Sequence, residues 1–314
     1  MNAPEFDYIA NLLKQKSGLA LGKDKSYLLE TRLSPIAARA KVASVEELIR
    51  GLRQGRHAEF IAEITSAMTT NESSFFRDGR PFETFRTDIL PRLLERRDKS
   101  KTIRIWCAAA STGQEPYTLA MLLKEEKALF GSHRIEIIGT DIAPEVLARA
   151  REGIYSHFEV QRGLPARLLV KYFDKVGDQW QIKPELRQMV QYREFNLLND
   201  LKPLGRFDII FCRNVLIYFD QLTKANVLSA MNGIIADDGV LFLGGAETVL
   251  GISDKFKLVA GQRGVYSPVF TAPASRTAIP TSPVPNLVTA LPRPAPKTTS
   301  AAPDSTLWRA AAGR

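Results

Sequence analysis

The chain has 314 residues, 45% of them apolar, which is enough for two compact domains and a tail. No apolar run approaches the ~18 residues of a membrane-crossing helix, and residues 1–10 lack the basic-then-apolar order of a secretion signal, so a cytoplasmic protein with no membrane insertion is expected. The net charge is +9, but Arg276, Arg293, Lys297, Arg309 and Arg314 lie in the last segment, so the body is only mildly basic; this disfavours nucleic acid and leaves an acidic protein surface as the better partner.

Residues 1–70 read as a small all-α domain. Phe6, Ile9, Leu12 and Leu13 recur at helical spacing, as do Leu28, Leu29, Leu33 and Ile36. Ser44 stands three residues before Glu47, a capping-box pattern that opens a third helix through Leu48, Ile49 and Leu52. Phe60, Ile61, Ile64 and Met68 mark a fourth. A linker segment and helix, 71–102, follow, with Phe82, Phe85, Ile89, Leu93 and Leu94 on one side and Pro91 as a source of a kink.

From 103 to 270 strands alternate with helices, the pattern of a parallel α/β sheet with helices on both faces. Strands are predicted over 103–107, 135–141, 207–212 and 240–243, with 265–270 closing the sheet, and helices from 116 and 144. Residues 153–193 break the alternation: Gln179-Trp180-Gln181-Ile182 after a Gly177-Asp178 turn reads as a small inserted hairpin. Cys107 and Cys212 each end an apolar strand and read as reduced core thiols; with three histidines they make no metal site of recognisable spacing. Segment 271–314 is rich in Pro, Ala, Thr and Ser and reads as a disordered tail.

Two places hold cofactor chemistry. Gly139-Thr140-Asp141 ends the second strand, where a carboxylate can accept from ribose hydroxyls. The turn after the first strand, residues 108–115, has one glycine and no GxGxxG, and Glu115 stands where a diphosphate would need backbone N–H groups. An anion there disfavours NAD and ATP and favours a cationic ligand such as S-adenosylmethionine. Beyond the third apolar strand stand Arg213, Asn214 and Tyr218, where an open α/β sheet places its ligand.

Four stretches, TTNESSFFR (69–77), WCAAASTGQEPYTLA (106–120), GTDIAPEVLARAREGIY (139–155) and FDIIFCRNVLIYFD (207–220), resemble the bacterial chemotaxis receptor methyltransferases, the CheR family. The resemblance covers about 1–270. It implies a class I S-adenosylmethionine-dependent methyltransferase: a Rossmann-like α/β sheet with a small inserted antiparallel β-subdomain and an all-α N-terminal domain. It implies S-adenosyl-L-methionine contacts at Asn71, Ser73, Arg77, Glu115, Asp141, Asn196, Leu197, Arg213 and Asn214. It implies methyl transfer to glutamate carboxylates of methyl-accepting chemotaxis receptors for sensory adaptation. Another methyl acceptor, or a non-catalytic S-adenosylmethionine-binding signalling role, is the alternative. The short insert argues against docking to a receptor's C-terminal peptide.

A glutamate carboxylate is ionised at neutral pH, its ordinary pKa being ~4.3, so the reaction needs an orienting group rather than a base. Arg77 and Tyr218 are the expected orienting groups. Lys25, Arg32 and Arg39, seven apart on or beside the second helix, are expected to form a basic stripe free for an acidic receptor. A monomer is expected.

Overall fold

The computed structural model describes residues 2–130 and 133–270; the expected tail at 271–314 lies outside the described residues. The apolar periods of the first segment become helices α1 (Ala3–Ser17), α2 (Tyr27–Arg39), α3 (Val45–Arg53) and α4 (Ile61–Met68). Their starts are signalled locally. The Asn2 side chain accepts from the Glu5 N–H, and Ser44 accepts from the Glu47 N–H. Glu47 reaches back to the Ala43 N–H, one residue before the capping-box position. Ile9, Leu13, Leu29, Leu33, Leu48, Ile49 and Ile64 are wholly buried in one core.

The connecting helix has three parts: α5 (Arg80–Thr84), a π-helical turn (Phe85–Ile89) and α6 (Leu90–Arg96). Pro91 has no N–H to donate and its ring crowds the preceding turn; the widened π turn just before it takes up the mismatch.

Then the alternation begins. It runs β1 (Ile103–Ala108), α7 (Gln114–Glu125), α8 (Lys127–Phe130), β2 (Ile135–Asp141) and α9 (Pro144–Glu152). The insert follows with β3 (Ile154–Ser156), α10 (His157–Gln161), α11 (Ala166–Tyr172), β4 (Phe173–Val176), β5 (Gln179–Ile182) and α12 (Pro184–Arg187). The sheet resumes with β6 (Val190–Glu194), β7 (Phe207–Cys212), α13 (Gln221–Asn232), β8 (Ile235–Leu243), β9 (Phe256–Leu258) and β10 (Val265–Pro268). Strand order is β6-β2-β1-β7-β8-β10-β9. The first five strands are parallel, and β10 runs antiparallel to β8 and β9. Strand order reverses between β1 and β7, which opens a crevice at their carboxyl ends. Both faces are buried. Phe82, Phe85, Phe211 and Phe242 pack on one side, and Trp106, Ile138, Ile210 and Leu228 on the other.

Two sequence expectations change. The insert is a three-stranded sheet, β3-β5-β4, rather than a hairpin alone, and the expected span 153–193 takes in one strand too many. Residues Val190–Glu194 pair in parallel with β2 as the main sheet's edge. Their mixed pattern, with only Val190 fully buried, hid a parallel strand that has one neighbour. At the other side β10 does not close the sheet, because the short β9 lies outside it. Among the described residues no helix is long and apolar enough to cross a membrane.

The end of the sheet opposite the crevice is held by one guanidinium. Arg97, just after α6, donates to Asp208 Oδ1 at 2.6 and 2.9 Å and to Asp238 at 2.6 and 2.8 Å. Asp208 also takes the Arg104 N–H of β1 at 2.8 Å, so the connector, β1, β7 and β8 share one polar cluster. The Arg97 pKa is raised, chiefly by its hydrogen bond with Asp238. Arg97→Ala leaves the buried Asp208 carboxylate without its partner. The expected loss is about 1–3 kcal/mol. It should show as a lower urea midpoint with an unchanged slope; an unchanged midpoint would remove Arg97 from the fold's supports.

Candidate active site

The crevice is a cleft lined by residues from the helical domain, the crossing segment and the ends of the parallel strands. Its floor is the turn after β1. Ala109 and Ser111 have φ of 58° and 52°, left-handed values that non-glycine residues adopt at a cost. Asp141 holds the turn. Its Oδ2 accepts the Ser111 N–H at 2.9 Å and its Oδ1 the Ala143 N–H at 3.0 Å. Gly113 then begins α7 at φ 95°; a Cβ there would lie 2.6 Å from the Tyr192 hydroxyl of β6, so only glycine fits. Burial raises the pKa of Asp141, against the backbone hydrogen bonds that lower it. The Glu115 pKa is raised as well, first by burial, with Arg213 pulling it down.

The second wall follows β7. The Arg213 side chain is 1% exposed. It donates to Glu115 at 2.8 Å, to Asp78 at 2.7 Å and to the Arg77 carbonyl at 2.8 Å, and its guanidinium sits 5.3 Å from the Phe82 ring centroid. Asn214 has φ 59°. The loop it begins is organised by Glu247, which accepts four backbone N–H groups: Gly244 at 2.7 Å, Asn214 at 2.8 Å, Val215 at 3.0 Å and Ile217 at 3.2 Å. Successive N–H groups turned to one side form an anion nest, and here the anion is the protein's own carboxylate.

The third wall is 69–78, an extended crossing from the helical domain. Ser111 donates to the Asn71 carbonyl at 2.6 Å, and Arg77 donates to the Glu72 carbonyl at 2.9 Å. Phe76 and Asp78, on either side of Arg77, have φ of 50° and 66°. Phe75 anchors the segment edge-on to Tyr155 and Phe173 of the insert. The helical domain closes the cleft: Ser17 and Leu19 line it, Leu19 pairs with Phe219, and the Ala20 N–H reaches the Tyr218 carbonyl at 2.9 Å.

All the residues expected at the cofactor line this one cleft: Asn71, Ser73, Arg77, Glu115, Asp141, Asn196, Leu197, Arg213 and Asn214, together with Tyr218. Their states differ. Arg213 is a strut held by Glu115, Asp78 and the Arg77 carbonyl. The Asn196 amide is engaged by the Lys16 carbonyl and the Leu198 N–H. Asp141 keeps only the lone pairs its backbone partners leave. Sequence reasoning missed Ser17, Leu19 and Ser111, and passed over Glu247 as a positioning group. Only a tertiary contact brings the first two to the cleft.

Two residues of the expected basic stripe have partners within the helical domain. Arg32 donates to the Met68 and Thr69 carbonyls at 2.9 and 2.8 Å, capping the end of α4, and Arg39 pairs with Glu63. Lys25 sits on a 3₁₀ turn before α2, not on its helical face. Arg32 and Arg39 therefore tie α2 to α4, and the Arg39 side chain is still half exposed.

The donors suit S-adenosylmethionine better than a diphosphate. A buried carboxylate ends β2, anionic Glu115 begins α7, and the turn between offers no glycine cradle. The fold and cleft define a class I S-adenosylmethionine-dependent methyltransferase. The family model described as "CheR methyltransferase, SAM binding domain" matches residues 71–265, and "CheR methyltransferase, all-alpha domain" matches 4–69. The chain belongs to the CheR methyltransferase family. It is 34% identical over 265 residues to chemotaxis protein methyltransferase Cher2 of Pseudomonas putida, covering 83% of this chain and 96% of that one. It is 36% identical over 265 residues to chemotaxis protein methyltransferase 1 of Pseudomonas aeruginosa, with 83% and 96% covered. With the chemotaxis protein methyltransferase of Vibrio anguillarum it shares 37% over 266 residues, covering 83% and 95%.

Two outcomes follow from the site. Glu247→Gln puts an NH₂ where two backbone donors converge. It should cost about 2 kcal/mol or more in stability and weaken S-adenosylhomocysteine about tenfold through a displaced Asn214. Melting and calorimetry check both, and wild-type values in each would end the nest's role. The second concerns pH. A cationic ligand is favoured by ionised Glu115 and Asp141. Their raised pKa values mean protonation sets in above the ordinary ~4, so affinity should fall as pH drops through the mildly acidic range. Binding there should release protons, because the ligand's charge lowers both pKa values. Calorimetry in buffers of different ionisation heat measures this, and no proton release at any acidic pH would contradict it.

Proposed function

We propose that this methyltransferase transfers the methyl group of S-adenosylmethionine to glutamate side-chain carboxylates of chemoreceptors, forming methyl esters. One observation carries the reading: the cleft's two guanidiniums are in opposite states. Arg213 has donors bound by Glu115, Asp78 and a carbonyl, whereas Arg77 lines the cleft and, among the described residues, has one hydrogen bond, to the Glu72 carbonyl. A planar fork of N–H donors suits one oxygen of an acceptor carboxylate.

When bound, S-adenosylmethionine supplies a methyl group on a sulfonium that departs as a neutral thioether. The protein's part is placement. Arg77 holds one carboxylate oxygen and leaves the other free to attack; Tyr218, on the opposite wall, orients the acceptor. Two cations on one carboxylate would blunt its nucleophilicity, and Glu115 and Asp78 keep Arg213 from becoming the second. Alignment of this kind supplies several kcal/mol, about 7–11 at its best. The chemotaxis names of the relatives support chemoreceptors as the acceptor.

The test uses the intact protein, labelled S-adenosylmethionine and membranes containing chemoreceptors. Base-labile label on receptor is the expected result, and Arg77→Ala should lower it about a hundredfold or more while S-adenosylhomocysteine still binds. Label appearing on small molecules or nucleic acid but not receptor would overturn the reading. A normal rate in Arg77→Ala would remove the orienting role.

A further inference from the structure

The rim of the cleft beside Tyr218 is apolar and uncovered. Ile217 is 41% exposed, Leu222 69% and Leu250 85%. Ile217 lies in the 3₁₀ turn before α13, Leu222 in the first turn of α13 and Leu250 in the loop after β8. The Ile217 N–H reaches Glu247 at 3.2 Å, and the Gln221 amide donates to the Gly251 carbonyl at 2.9 Å, so the start of α13 lies against the turn that holds Leu250. Single exposed leucines are ordinary on any protein, but a group of them at the mouth of a site is a contact surface. These segments run directly from the strands that build the cleft, and Tyr218 stands between Ile217 and Phe219 on the cleft wall.

The acids at the cleft and beside it are paired: Glu72 with Arg162, Asp78 with Arg213 and Asp220 with Lys14. Lys16, Lys23 and Lys224 have no ion-pair partner among the described residues. Lys16 and Lys23 bracket the segment in which Leu19 and Ala20 pair with Phe219 and Tyr218; Lys224 follows on α13. Asp220 pairs with Lys14 at 2.6 Å and caps α13 through the Thr223 N–H at 2.8 Å. Asp24 is the one acid in the Lys23 turn.

We propose that Ile217, Leu222 and Leu250 form a ledge on which the acceptor docks, and that the docked element is an amphipathic helix with an apolar stripe flanked by acids. The proposal rests on the receptor-methylation reading and deepens it by naming the surface. Complementarity selects the occupant. The ledge wants an apolar stripe, the unpaired ammonium groups want carboxylates beside it, and the acceptor is itself a glutamate that must reach Arg77 and Tyr218 just inside. A helix meets all three because residues three and four apart share a face. The ledge also replaces the α2 stripe, whose arginines are engaged within the domain.

The experiment compares the full chain with a Leu222→Glu, Leu250→Glu double variant. Both side chains lie outside the cleft lining. Melting temperature and S-adenosylhomocysteine affinity should match the wild type, since the positions are exposed. The KM for receptor should rise roughly tenfold or more, with kcat at saturation nearly unchanged. A Leu222→Ser, Leu250→Ser variant should give a smaller rise in the same direction. An unchanged KM in both variants, with the wild type methylating receptor normally, overturns the ledge alone. A wild type that labels no receptor overturns the functional reading and the ledge with it.

Discussion

The buried guanidinium of Arg213 is the constraint on which the site's geometry depends. It belongs to the end of β7, and its partners come from α7 through Glu115 and from the crossing segment through Asp78 and the Arg77 carbonyl. Removing such a charge from water is costly, and the pair's attraction only partly offsets the cost. What the arrangement secures is position. Three walls that come from distant parts of the chain are set around one cation, and the Nε atom is left without a partner. The same contacts place Arg77 in the cleft lining.

Strain collects in the same place. Ala109, Ser111 and Asn214, which line the cleft, take left-handed backbone values, as do Phe76 and Asp78 on either side of the cleft-lining Arg77. Such residues persist when their surroundings over-determine them. The surroundings here are two carboxylates acting on backbone N–H groups: Asp141 under the β1 turn and Glu247 under the β7 loop. The protein thus uses side-chain anions where dinucleotide-binding folds use glycines. Asp141 is the last residue of β2, and Glu247 stands in the loop that follows β8.

The helical domain is part of the site. Leu19 pairs with Phe219, the Asn196 amide reaches the Lys16 carbonyl, and Ser66 hydrogen-bonds Glu145. Gly18 ends α1 at φ 80°, and a Cβ there would meet Phe219 at 2.9 Å, so the close approach of α1 to the loop after β7 depends on that glycine. Contacts made by the helical domain therefore bear directly on the loop that carries Tyr218.

The sequence by itself determined the architecture and most of the site. Periods of 3.6 and 2 residues located the helices and the buried parallel strands, because burying an apolar face is a local pattern with a global consequence. Glu115, Asp141 and the Arg213-Asn214 pair were legible because polar groups at the ends of apolar strands have no packing purpose. Edge strands were not legible: β6 and β9 are half-exposed, and their pattern matches a loop's until a neighbour supplies hydrogen bonds. Nor did residue type reveal a side chain's state. Arg32 and Arg39 looked like a free basic stripe, and Arg213 looked like a ligand contact. Only the tertiary structure decided that the first two cap and tie α4 while the third is a strut, because a guanidinium offers five donors and what they bind depends on carbonyls and carboxylates brought near by folding. Arg77 has one hydrogen bond among the described residues for the same reason.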